Sequence, residues 1–118
     1  MNKKYTGIFV ANTTPFKKDG TLDLNGLASE IDYLIKSKVN GFFVAGTYGE
    51  GPMMNLDELN EYFNTYSDVV KGRVPITAQV GAVTLEQTLE QAKIAEEAKV
   101  DALAAIPPYY FPHDDDAL

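Results

Sequence analysis

The stretch GFFVAGTYGEG, residues 41–51, sets an apolar run (Gly41, Phe42, Phe43, Val44, Ala45) directly before a loop of Gly46, Thr47, Tyr48, Gly49, Glu50 and Gly51. A helical pattern opens just beyond it, at Asn55. A buried strand that gives way to a helix is one unit of a parallel α/β fold. The loop's composition points to a guest. Glycines admit positive φ and let backbone approach a ligand, and amides near a helix start face toward an anion. The spacing is neither a Walker motif nor the dinucleotide fingerprint, and Glu50 would repel a phosphate unless paired, so a small carboxylate is favoured. A tight connection that holds no ligand is the competing reading.

Working outward, the same alternation fills the chain. Apolar runs at 8–11, 41–45, 74–80 and 100–106 read as four strands, and their near-continuous apolar character fits strands covered on both faces. Three amphipathic helices lie between them. Leu24, Leu27, Ala28, Ile31, Leu34 and Ile35 line one face of the first by three-and-four spacing. Asn55 and Glu58 have the spacing of a capping box at the start of the second, whose stripe is Leu56, Leu59, Phe63, Tyr66 and Val70. Thr84 and Gln87 repeat that device for the third, followed by Leu85, Leu89, Ala92 and Ala95. The tyrosines and phenylalanines of the second helix read as core.

The chain has 118 residues, a formal charge of −7 and no cysteine. Its ten Lys and Arg are scattered, which argues against a nucleic-acid phosphate surface and an anionic membrane. Without cysteine there is no disulfide framework, thiolate nucleophile or thiolate-bound zinc. The apolar run after Lys3 and Lys4 is too brief for a secretory or membrane-spanning segment, so a cytoplasmic location is expected. No cofactor motif is present, and none is expected.

Ligands in parallel α/β folds sit beyond the carboxyl ends of the strands. Besides the loop already quoted, that directs attention to Thr13-Thr14-Pro15-Phe16 and to Pro107-Pro108-Tyr109-Tyr110-Phe111. Thr47 and Tyr110 carry hydroxyls able to relay a proton. A tyrosine after two prolines also reads as a packing residue with a polar tip. His113 beside Asp114, Asp115 and Asp116 resembles a metal cluster in composition, but an acidic run also favours a helix N-terminus, and the sequence predicts a fourth helix there rather than a metal site. Asp19-Gly20 reads as a turn.

Three of these motifs, in this order and at these separations, carry a resemblance: Thr14-Pro15-Phe16, then Gly46-Thr47-x-Gly49-Glu50, then Pro108-Tyr109-Tyr110. Over nearly its whole length the chain resembles the amino-terminal part of the dihydrodipicolinate synthase and N-acetylneuraminate lyase family of pyruvate-dependent class I aldolases. The resemblance implies a (β/α)₈ TIM barrel, of which residues 1–118 form about the first four β/α units, in one domain. It implies reversible aldol addition or cleavage with pyruvate, or another 2-keto acid, held as a Schiff base on a lysine. Thr47 would relay protons, the amides of Thr47 and Tyr48 would bind the pyruvate carboxylate, and Tyr110 would reach across a dimer interface into a neighbour's relay. Homo-oligomers are therefore expected. Tyr48 stands where the family usually has a second small hydroxyl residue, which makes synthase activity the less expected one. Gly51-Pro52 and Tyr110-Phe111-Pro112 look closer to sugar-acid aldolases acting on 2-keto-3-deoxygluconate.

A full barrel needs roughly 250 residues. By the resemblance, the nucleophilic lysine and its assisting tyrosine belong to later strands. The chain thus reads as an interrupted piece of a longer enzyme, inactive by itself. A non-catalytic half barrel that binds small carboxylates and self-associates through open strand edges is the alternative. A flavodoxin-like nucleotide binder is a weaker one.

Overall fold

The computed structural model describes residues 3–117. A 3-10 turn at Lys3–Tyr5 leads into β1 (Phe9–Val10), followed by α1 (Leu24–Lys36), β2 (Gly41–Val44), a second 3-10 turn (Gly51–Met53), α2 (Leu56–Val70), β3 (Ile76–Gln79), α3 (Leu85–Glu97) and β4 (Ala102–Ala104). All neighbouring strands pair in parallel, in the order β1-β2-β3-β4. That order matters. Strands laid down in sequence, with a helix between each pair, have no reversal point of the kind that makes a nucleotide crevice in doubly wound sheets. The flavodoxin-like reading falls on this ground.

The register separates two faces. Val10, Phe42 and Ile76 form one row toward the helices, and Val44, Ala78 and Leu103 the next. The opposite face carries Phe9, Phe43, Thr77, Gln79, Ala102 and Ala104, with Gly41 between the first two strands. A Cβ at Gly41 would stand 2.5 Å from the Phe9 ring, so glycine there is what lets the ring lie across β2.

The core lies between the sheet and the helices, and α2 is its centre. Leu59, Tyr62, Phe63, Tyr66 and Val70 of α2 are buried against Phe42, Val44, Ile76 and Ala78, while α1 contributes Leu27 and Ile31. Asn55 fixes where α2 begins: its side chain accepts from the Glu58 N–H and the Glu58 carboxylate accepts from the Asn55 N–H, both at 2.9 Å. The expected capping box is thus present. On α1, Asp23 does the same work one way, accepting from the Gly26 N–H. Thr84 accepts from the Gln87 N–H at 3.2 Å, and no return bond from Gln87 is found among the described residues.

Two expectations need correction. Leu85 and Leu89 are exposed, as is part of Leu56, and Ala95 is the one fully buried residue of α3. The reason is position: α3 packs against α2 on one side, where Ala92 and Ile94 join Ala95 against the core, and Leu85 and Leu89 lie away from that side. Coverage on both faces also fails at β4, where Leu103 faces the helix layer and stays half exposed. At the acidic run the Asp114 side chain accepts from the Ala117 N–H and closes a single turn at the end of the described residues, and the fourth helix expected to begin there would lie beyond them.

Candidate functional site

Residues 46–51 are held in a shape that sequence composition alone only suggested. The chain leaves β2 through Ala45 at φ +58° and enters the second 3-10 turn through Glu50 at φ +56°, two non-glycine residues in the left-handed region. Such positions carry strain and persist when the surroundings fix them. Here the Gly51 N–H donates to Gly46 O and the Glu50 N–H to Thr47 O, both at 3.1 Å. Gly51 lies so close to the start of the loop that a Cβ would stand 2.0 Å from the Ala45 carbonyl oxygen. This glycine is therefore obligatory for a close backbone approach, as distinct from a positive φ.

Two buried hydroxyls brace the loop from below. Thr14, from the loop after β1, donates Oγ1 to Gly49 O at 2.5 Å. Tyr62 of α2 accepts the Ala45 N–H at 3.3 Å. Burial pushes the Tyr62 phenol up from its ordinary value, against the lowering effect of its hydrogen-bond neighbours, so it stays neutral. Tyr66 is pushed up as well, again chiefly by burial. Its hydroxyl makes no well-formed hydrogen bond among the described residues, although Tyr62 and Asn12 lie close to it. Asn12 in turn donates to Glu30.

On top of the loop the picture is open. Thr47 and Tyr48 are exposed, and no hydrogen bond to the N–H of either is found among the described residues. Thr47 borders a hollow of about 360 Å³ at the carboxyl ends of the strands, together with Pro52, Gln79, Ile106 and Tyr109. Gln79 is buried, and its amide is clasped to one residue: Gly81 N–H donates to Oε1, and Nε2 donates to Gly81 O at 3.2 Å. A hollow of about 500 Å³ elsewhere is lined by Asp32 of α1, Asp68 and Val69 of α2, and Lys71 and Arg73 of the connection to β3, away from the carboxyl ends of the strands.

The sequence-predicted residues divide accordingly. Thr47 borders the hollow, whereas Tyr48 and Tyr110 do not. Tyr110 is 82% exposed, has φ +90°, and stacks edge-on with Phe111 at 4.8 Å between ring centroids. Tyr109, its neighbour, is the tyrosine that reaches the hollow. Gln79 was not singled out from the sequence, Tyr62 was read only as a core aromatic, and Thr14 was named within the Thr14-Pro15-Phe16 motif without the bracing role it has here. A polar amide next to last in the mostly apolar run 74–80, which also holds Thr77, was the available signal for Gln79.

The profile of the dihydrodipicolinate synthetase family matches residues 4–118. The chain belongs to that family. It is 37% identical over 110 residues to the N-acetylneuraminate lyase of Pasteurella multocida (strain Pm70), covering 92% of this chain and 38% of that protein. Its fold is similar to the crystal structure of N-acetylneuraminate lyase from Mycoplasma synoviae, with a TM-score of 0.90, 36% identity, and coverage of 97% of this chain and 40% of the other. It is also similar to YagE, a prophage protein of the dihydrodipicolinic acid synthase family from E. coli K12 solved in complex with pyruvate (TM-score 0.88, 34% identity, 95% and 38% coverage). The chain spans about 38% of the length of the curated relatives it matches, and its four parallel strands are part of a TIM barrel. No helix of the described residues is long and apolar enough to cross a membrane.

Proposed function

We propose that the protein is a pyruvate-handling Schiff-base aldolase or lyase acting on 2-keto-3-deoxy sugar acids, and that residues 1–118 supply its carboxylate cradle and part of its proton relay. The observation that carries this reading is the pair of adjacent amides at Thr47 and Tyr48, without a hydrogen-bond partner among the described residues, the first of them on a residue that borders a hollow at the strand ends. Two N–H groups held on a braced loop suit the two oxygens of a carboxylate. The Thr47 hydroxyl, at the rim of the same hollow, is placed to pass a proton. N-acetylneuraminate, the substrate named for the lyase relatives, is itself a 2-keto-3-deoxy sugar acid, and a bound pyruvate in YagE fits the same chemistry.

Schiff-base chemistry needs an amine that is buried or crowded by charge, so that it is neutral and nucleophilic. Lys4, Lys17, Lys18, Lys36, Lys38, Lys71, Lys93 and Lys99 are all exposed, and none lies on a strand. The amine is therefore assigned outside these residues, and the chain alone is expected to be inactive. Tyr110, exposed and projecting from a strand-end loop, suits a role in the site of a neighbouring copy in a cytoplasmic homo-oligomer.

Pyruvate with borohydride tests the assignment. The polypeptide should gain no adduct by mass spectrometry, while pyruvate shifts the amide resonances of Thr47 and Tyr48. A trapped adduct on one of its lysines would overturn the placement of the amine, and unshifted amides would overturn the cradle. A second reading, a binding-only half barrel that self-associates, draws on the half-exposed Leu103 of β4. A discrete dimer that binds pyruvate without cleaving any keto sugar acid, in the longer protein as well, would favour it.

A further inference from the structure

The loop at 46–51 is wound around one atom, the phenol oxygen of Tyr62. On one side it accepts the Ala45 N–H at 3.3 Å, the last amide before the loop. On the other it stands beside Gly49: a Cβ there would lie 3.4 Å from that oxygen, 3.3 Å from Ala45 N and 3.2 Å from Asn12 O. Gly49 is tied again through its carbonyl, to the Thr14 hydroxyl. Thr47 and Tyr48 sit between these two anchored residues, so the direction of their amides is set by what holds Ala45 and Gly49.

We propose that Tyr62, assisted by Thr14, is the positioning residue of the anion cradle: it sets the orientation of the Thr47 and Tyr48 amides, and so the affinity for a 2-oxo acid carboxylate, without touching the ligand. The proposal rests on the carboxylate reading of this loop. Tyr62 is fully buried, and its ring is fixed edge-on between Phe63 and Tyr66, with centroids 5.7 Å and 5.0 Å away. A rigid anchor of this kind can hold strained backbone at Ala45 that a flexible side chain would release. The chemistry of the anchor is also selective. A carboxylate could accept the same amide, but it would put negative charge behind a site meant for an anion, whereas a neutral phenol accepts without that repulsion. Phenylalanine would keep the packing and leave the buried Ala45 N–H without its acceptor.

The test uses ¹⁵N-labelled full chain, with amide hydrogen exchange and a pyruvate titration followed by NMR. In Tyr62→Phe, exchange at Ala45 should rise while Phe42, inside β2, stays protected. The pyruvate dissociation constant should rise roughly three- to tenfold, the weight of one lost hydrogen bond. Thr14→Val should act in the same direction through Gly49, and Thr14→Ser should restore wild-type affinity; this pair carries the test should Tyr62→Phe not fold. An unchanged exchange rate at Ala45, or a released Ala45 with unaltered pyruvate affinity, would overturn the proposal. Wild-type chain that binds no pyruvate would sink the carboxylate reading, and with it the proposal's functional half. The exchange arm would still decide whether Tyr62 holds the loop.

Discussion

Asp101, just ahead of β4, and Lys4, ahead of β1, form an ion pair of 2.5 Å across the amino ends of the sheet. The strands they precede are at opposite edges of the four-stranded order, so the contact records how far the sheet curls. Asp101 does more than pair with the ammonium. Its Oδ2 also accepts the Ile76 N–H at 2.8 Å, at the start of β3, and its carbonyl accepts from the Tyr5 hydroxyl.

The two partners should therefore be unequal. Asp101→Ala leaves the Ile76 amide without its acceptor and is expected to cost about 1–2 kcal/mol in urea unfolding. Lys4→Ala removes the exposed ion pair and the ammonium's contact with the Tyr5 ring, 5.7 Å from its centroid, and should have a smaller effect that shrinks in high salt. Equal losses would mean that the ion pair, and not the backbone bond, fastens this corner. The Lys4 ammonium is raised from its ordinary value by its hydrogen bond to Asp101, so its contribution is present at neutral pH and fades as pH rises above about 10.5.

Alkaline titration should divide the tyrosines. Tyr62 and Tyr66 are both raised by burial in the folded chain, so the neutral forms are bound to the fold and stability falls once pH climbs past the unfolded value of 10.0. Of the seven tyrosines, these two should show tyrosinate absorbance only together with loss of circular dichroism. Early ionisation of all seven in a folded chain would contradict the burial. Tyr66→Phe, which removes a hydroxyl without a well-formed partner, should be neutral or slightly stabilising, in contrast to Tyr62→Phe.

Two glycines should respond differently to the same methyl group. Gly51→Ala drives a Cβ into the Ala45 carbonyl and should cost about 3 kcal/mol and disorder the loop. Gly72, at φ +72° with open space around it, should lose only about 1 kcal/mol on substitution by Ala. Urea midpoints compare the pair, and equal costs would show that the tight turn at Gly51 relaxes freely.

Apolar residues of neighbouring helices provide a further contrast. Leu59→Ala on α2, 1% exposed, should cost about 2–5 kcal/mol, whereas Leu89→Lys on α3, 60% exposed, should stay within about 0.5 kcal/mol of wild type. Thermal unfolding of both variants is the check. A large loss from Leu89→Lys would mean that a second surface covers α3 in solution.

The sequence by itself determined what is local. Three-and-four spacing placed α1 and α2, Asn55 and Glu58 fixed the start of α2, and apolar runs placed four strands, because these features depend on residues within one or two turns of each other. The crowding of Gly46, Gly49 and Gly51 also marked the loop as a place where backbone comes close to something. Only the tertiary structure decided what that something is on the inner side. Tyr62 reaches Ala45 across 17 positions, Thr14 reaches Gly49 across 35, and Lys4 reaches Asp101 across 97. It likewise decided that Tyr109 and Gln79, and not Tyr110, border the hollow with Thr47, and that Leu85 and Leu89 stay exposed. Periodicity records which face a residue occupies, whereas contact depends on strand order and sheet curl, and those arise only when the elements pack together.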